Sequence, residues 1–276
     1  MTTLDIVICT LNEGIRNVYE QLPPPSSGIT YIVSMQYDDE RFLSFIPEKL
    51  KARVDVKLLT LQGHGLCKNR NYALRATSSD YVMITDDDVK FDMEGIKRIA
   101  NAFDRFPKMD IGLFRLTDYE GKFFKRYPVL PTTFQTAFDE LGYYPCSCEM
   151  ILRRERVVGK IFFDERFGLG SDYLMCGEED VFLADAIRKG MGVVCIPIVI
   201  GQTDSKTTGD NFLNQPSVQR SKGATFFYCF GPLNAFYRIV KETFHYLVRG
   251  HLNAGSLFLH MCQGVQYIVR HERKDA

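Results

Sequence analysis

Four short apolar, β-branched runs alternate with helix-forming sequence over the first hundred residues, and that alternation limits the folds open to the chain. The runs lie at 4–10, 29–35, 54–60 and 81–85. The first reads as a buried strand stopped by Asn12-Glu13-Gly14, because a continuous apolar run bounded by turn residues suits a strand covered on both faces. Between and after the runs, residues 15–22, 65–76 and 93–106 carry helical spacing, while 42–51 is helical or irregular. Pro23-Pro24-Pro25 ends the first helix. Strands alternating with helices build βαβ units, so the expectation is an α/β fold with a mostly parallel sheet flanked by helices.

Beyond residue 106 the pattern loosens. Residues 111–116 and 150–153 are predicted strands, 132–141 and 181–189 predicted helices, and 193–200 the last strong strand. Residues 203–221 are polar and read as a loop. Two further helices are predicted at 233–249 and 254–270, in a segment rich in aromatics. The natural division is therefore a unit over 1–202 and a C-terminal loop-plus-helix extension over 203–276 that packs on it.

Charge and cysteine usage exclude several classes. Thirty-four Lys and Arg balance thirty-four Asp and Glu, so no overall electrostatic attraction to nucleic acid is expected. The eight cysteines show no CxxC pair, and Cys146-x-Cys148 is the closest spacing. That pattern suits buried free thiols in a reducing compartment rather than a disulfide framework or structural zinc. The N-terminus lacks the basic region of a signal peptide. The longest apolar stretch outside it, 191–201, falls short of the roughly 20 residues that span a bilayer. A cytoplasmic protein is expected.

Three segments can carry chemistry. Asp86-Asp87-Asp88 follows the fourth strand. In a parallel α/β sheet, ligands sit at the carboxyl ends of the strands. Three adjacent carboxylates repel one another, and a divalent cation shared with a phosphate relieves them. A solvated turn with a helix N-cap accounts for the same residues equally well. Gly177-Glu178-Glu179-Asp180 opens a helix. Acids there favour the helix dipole, and one of them could also serve as a general base. Gly63-His64-Gly65 precedes a helix start with Lys68 and Arg70, which could hold a diphosphate. No P-loop, dinucleotide fingerprint, GxSxG elbow or HExxH is present.

Taken in order, DIVICTLNEG, GLCKNRNYALRATSSDYVMITDDDV, FDERFG and GEEDVFLADAIRKG resemble the inverting family-2 glycosyltransferases of GT-A fold, over roughly residues 3 to 200. The resemblance implies a GT-A, Rossmann-like sheet in 1–202 that binds a nucleotide sugar. It places Thr10, Asn12 and Glu13 around the nucleoside, with Asp39 (or Asp38) against the base. It puts Arg70 near the nucleotide, Asp86 near the ribose or sugar, and Asp88, with Asp86, on Mn²⁺ or Mg²⁺; Lys68 and Asp87 are expected among the nucleotide-binding residues. Glu179 takes the general-base position, with Asp180 second. Many relatives complete the metal site with a histidine after the last strand. Here Gln202-Thr203-Asp204 stands in its place.

The function implied is metal-assisted transfer of a sugar, with inversion, from a nucleotide-diphosphate donor, UDP by resemblance, to a hydroxyl of a glycan or lipid-linked acceptor in polysaccharide assembly. Arg220 and Lys222, after the polar loop, could close over the diphosphate; a solvated basic pair is the alternative. The amphipathic C-terminal helices suit either a membrane surface, at the inner face, or packing on the core or a second subunit in a homodimer. Two other classes remain open at this level: a nucleotidyltransferase releasing pyrophosphate, and a degenerate transferase that binds without turnover.

Overall fold

The computed structural model describes residues 2–135, 143–204, 208–251, 253–271 and 273. Among the described residues, nine strands form one sheet: β1 Leu4–Leu11, β2 Ile29–Tyr37, β3 Val56–Gln62, β4 Tyr81–Asp86, β5 Lys90–Phe91, β6 Ile111–Thr117, β7 Thr132–Phe134, β8 Met150–Arg153 and β9 Val193–Gln202. The helices are α1 Ile15–Gln21, α2 Glu48–Lys51, α3 Leu66–Arg75, α4 Met93–Ile96, α5 Ile99–Arg105, α6 Arg154–Val157, α7 Glu178–Arg188, α8 Pro216–Val248 and α9 Ala254–Arg270.

The sheet runs β3-β2-β1-β4-β8-β6-β9-β5, with β7 also paired to β9. Its first four strands are parallel, β1 lying between β2 and β4. β8 then enters antiparallel between β4 and β6, and β6 pairs with β9 in parallel. The α/β expectation is met as a mixed sheet flanked by helices, with a helical C-terminal region.

Alternation along the central strands feeds two cores, as a period of two requires. Leu4, Ile6 and Ile8 of β1 join Tyr81 and Met83 of β4 under α1, α4 and α5. Val7 and Cys9 join Val82 and Ile84 on the other face, against Ala73 and Leu74 of α3 and Phe182 and Leu183 of α7. Asp5 is buried within β1, where its carboxylate accepts from the backbone N–H of Ser78 and Ser79 and fixes the approach to β4.

The C-terminal helices pack on each other and on α7. A Cβ on Gly223 would lie 2.0 Å from the Met261 carbonyl oxygen, and one on Gly264 only 1.8 Å from that of Arg220. Glycine at both positions lets α8 and α9 touch backbone to backbone. α8 kinks at Gly231 (φ 76°), and Pro232 opens its second stretch, a position whose missing N–H costs no helical hydrogen bond.

Three local expectations change. Residues 132–134 are a strand added to β9 rather than the start of a helix, and 136–141 lie outside the described residues. The helix expected over 93–106 breaks between α4 and α5. α8 begins at Pro216, inside the segment read as loop, because Pro at the first helical turn starts the helix early. Among the described residues, no helix is long and apolar enough to cross a membrane. All eight cysteines are free, and Cys9, Cys67, Cys148 and Cys195 are buried.

Candidate active site

A cavity of about 870 Å³ opens at the carboxyl ends of β1, β2 and β4. β1 contributes Thr10, β2 Gln36 and the end of β4 Asp86-Asp87-Asp88. Across from them the N-terminus of α7 brings Glu178, Glu179 and Asp180. Two acid clusters about ninety residues apart in sequence therefore face one space.

Gly177 makes the second cluster possible. Its φ is 94°, a left-handed conformation that L side chains rarely adopt, and a Cβ there would lie 2.3 Å from Thr225 Oγ1. α7 can start only where a glycine reverses the chain against α8. The three acids that follow sit at the positive end of the α7 dipole, which offsets part of their mutual repulsion.

Arg70 joins the two clusters from below. Its side chain is 1% exposed, with Nη1 at 3.2 Å from Glu178 and 3.5 Å from Glu179, and Nη2 at 3.2 Å from Asp86. Nη2 also donates to Ser147 Oγ at 2.6 Å. Burial works against the charge of Arg70, yet Asp86, Glu179 and Glu178 outweigh it and hold the guanidinium firmly protonated. Asn69, one residue earlier on α3, donates to the Ser34 carbonyl at 3.0 Å and accepts from Ser34 Oγ at 2.6 Å, which anchors the helix to β2.

The carboxylates differ in state. Burial, and then Glu179, push Glu178 above the ordinary carboxylate range. Burial, Glu179 and Glu178 push Asp180 well above it, with Lys125 and Lys222 acting in the opposite sense. Among the described residues, Asp180 Oδ1 has no hydrogen-bond partner. Asp88 is raised by burial and by Asp86, Asp87 and Asp204. Asp87 is raised by burial and accepts a short hydrogen bond from Thr10 Oγ1. Cys148 Sγ donates to Asp86 Oδ2 at 3.3 Å.

Of the residues singled out in the sequence, Thr10, Arg70, Asp86, Asp87, Asp88, Glu179, Asp180 and Lys222 line the cavity, as does Asp204. Lys222 pairs with Glu242 at 2.6 Å. Asn12, Glu13, Asp39, Lys68 and Arg220 are not among the lining residues. Asn12 instead ties the end of β1 to that of β2, donating to Asp38 Oδ2 at 2.9 Å and accepting from the Asp38 N–H at 3.0 Å. Asp39 accepts from the Arg41 N–H and caps the next turn. Glu13 and Lys68 are exposed. Arg220 stacks on Tyr173, 4.1 Å from the ring centre.

Ser147 and Cys148 are site residues that sequence reasoning missed. They reach Arg70 and Asp86 from a turn 77 and 62 residues away, and no motif marks them. Glu178 was visible as part of the acid run, but its pairing to Arg70 was not.

A divalent cation is the group the family resemblance implies. Among the described residues, no three His, Cys, Asp or Glu side chains are grouped to hold a metal ion. Asp86, Asp88 and Asp204 nevertheless supply the oxygen donors that Mg²⁺ or Mn²⁺ takes, and such ions are commonly held by one or two carboxylates with substrate phosphates completing the shell. The mutual charging of Asp88 by its neighbours is the strain that a cation would relieve. The donor set fits.

A mixed sheet with acids at its carboxyl edge and a helical C-terminal region defines an α/β protein with a ligand cavity at the strand ends. The model of glycosyl transferase family 2 matches residues 5–162, more than half the chain, and the chain belongs to that family. No curated protein matches it. Among solved structures, S. aureus TarS aligns with a TM-score of 0.55 at 18% identity, covering 83% of this chain and 40% of TarS. The aligned part thus spans about two fifths of that TarS chain. The TarS fragment 1–349 in complex with UDP-GlcNAc aligns at 0.60 with 14% identity, over 98% of this chain and 92% of the fragment. The same fragment with UDP aligns at 0.55 and 18% identity, over 83% and 67%. At these identities the likeness establishes the GT-A fold.

Proposed function

We infer that this chain transfers a sugar from a UDP-sugar to an acceptor hydroxyl with inversion. The observation that carries the reading is the convergence of Asp86–Asp88 and Glu178–Asp180 on one cavity at the carboxyl edge of the sheet. The solved complexes of TarS with UDP and UDP-GlcNAc support a UDP-linked donor on the same fold.

In this reading Asp88, with Asp86 and Asp204, would hold Mn²⁺ or Mg²⁺. Bound there, the cation supplies charge neutralisation for the departing diphosphate. Arg70 fixes Asp86, Glu178 and Glu179 in place rather than gripping the nucleotide, since its guanidinium is committed to those three carboxylates. Thr10 orients Asp87. The acceptor oxygen attacks the anomeric carbon as the bond from that carbon to the diphosphate oxygen breaks, and UDP leaves on the opposite face. The acceptor proton passes to a carboxylate of α7.

Two observations favour Asp180 over Glu179 for that proton. Glu179 is paired with Arg70, whereas Asp180 Oδ1 has no hydrogen-bond partner among the described residues. Burial and the neighbouring acids also raise the proton affinity of Asp180 above the ordinary carboxylate range, the direction in which a general base is tuned. Phe124, Tyr144 and Leu169 also line the cavity and offer apolar surface to an acceptor, whether a free glycan or a lipid-linked one.

The test is a thermal shift with UDP, GDP and CDP, each with and without Mn²⁺. A ligand at a hundred times its dissociation constant stabilises by about 2.7 kcal/mol. A shift with UDP that requires Mn²⁺ and disappears in Asp88→Asn is the expected result. No shift with any nucleotide would overturn the reading.

A further inference from the structure

The second stretch of α8 turns an apolar stripe to solvent. Leu233, Phe236, Val240, Phe244, Leu247 and Val248 are all exposed, Leu233 at 86% and Val248 at 69%. At about 100° per residue they fall within roughly one third of the helix circumference. The opposite face is already satisfied: Ala235 and Ile239 are buried with Leu257 and Met261 of α9. One face of this helix therefore packs on the protein, and a second apolar face has no protein partner among the described residues. A continuous apolar stripe of this kind on a soluble surface marks an interaction site.

Charge identifies the partner. Arg238, Lys241, His245 and Arg249 recur at intervals of three or four, so they line one edge of the stripe. Lys241, His245 and Arg249 are exposed. The sole acid between 232 and 271 is Glu242, and it is paired with Lys222. In a chain whose charges balance overall, this helix pair is a concentration of positive charge. A second copy seated stripe to stripe would bring those cations only its own Glu242, already paired with Lys222. Anionic lipid headgroups offer many negative charges, beside acyl chains that take the apolar side chains.

We propose that the 232–248 stretch of α8 docks the protein on an anionic lipid surface. The helix lies in the interface plane, with Phe236, Phe244 and Leu247 among the acyl chains and the Arg238–Lys241–His245–Arg249 edge at the headgroups. The kink at Gly231 sets this stretch off from the part of α8 that carries Lys222 to the cavity. Docking is independent of the proposed reaction and is tested without it.

The experiment is flotation of the full chain with two vesicle types, one of phosphatidylcholine and one an equimolar mixture with phosphatidylglycerol. Flotation with the anionic vesicles, weakened by salt, is expected. Phe236→Ser/Phe244→Ser/Leu247→Ser removes it, and Lys241→Gln or Arg249→Gln each lowers partitioning about fivefold. All of these residues are exposed, so unchanged circular dichroism and melting are expected for every variant. Absence of flotation by the unaltered chain, or unchanged flotation in the triple variant, overturns the proposal. A lipid-free dimer that the triple variant dissociates, without flotation, overturns it as well and seats a second copy on the stripe.

Discussion

Arg70→Met removes the cation on which the site is assembled. Arg70 lies within 3.2 Å of Glu178 and Asp86 and 3.5 Å of Glu179, and the Glu178 side chain is 7% exposed. Without Arg70, Glu178 stays buried and loses its counter-ion, so its ionised form is left uncompensated wherever it gives up its proton. Breaking a buried pair in this way costs about 3–5 kcal/mol. Methionine refills much of the volume, so the cavity contribution is small. The penalty depends on pH, and its sign follows from Glu178. Burial and Glu179 raise its proton affinity, while Arg70 lowers it. In the variant the affinity climbs further, so the folded state holds a proton that the unfolded state has released. An acid raised in the folded state favours folding at low pH, and that contribution is lost as pH rises through its folded value. The gap between Arg70→Met and the unaltered chain is therefore steady while Glu178 holds its proton in both, up to about pH 8, and widens above that by up to about 1.4 kcal/mol per unit. Because the chain has no tryptophan, urea unfolding is followed by far-ultraviolet circular dichroism. A loss below about 1 kcal/mol at the higher pH, or one that does not change with pH, would refute the claim that Arg70 ties the two acid clusters together.

Two further outcomes follow from the geometry. Asp180→Asn should keep UDP binding and lower transfer about 100- to 10,000-fold; in the unaltered chain, transfer should rise with pH through a value above the ordinary carboxylate range, as Asp180 loses its proton. Full activity in Asp180→Asn would return the base to Glu179. Gly264→Val drives a side chain into the Arg220 carbonyl and should cost about 1–3 kcal/mol or more, read as a drop of several degrees in melting temperature. An unchanged Tm would mean that α8 and α9 do not meet backbone to backbone there.

The amino-acid sequence by itself determined the α/β class, the positions of β1, β2, β4 and β9 to within about two residues, and the two acid clusters. These are local signals. A β-branched run must extend, a period of 3.6 must coil, and acids after a strand or before a helix mark ends where backbone groups are free. The strand at 132–134 escaped because it is held by pairing to β9, a contact 60 residues away along the chain that its own composition does not announce. α8 began five residues before the loop was expected to end, since one proline outweighed the polar composition around it. Only the tertiary structure decided that Arg70 is a buried tie and that Ser147 and Cys148 belong to the site, and it drew Asn12 and Asp39 into turn contacts rather than the cavity. It also showed that the apolar stripe of 232–248 faces outward. Periodicity reveals that a helix has an apolar face, but which neighbour covers that face depends on packing across distant segments, where desolvation and charge pairing are settled.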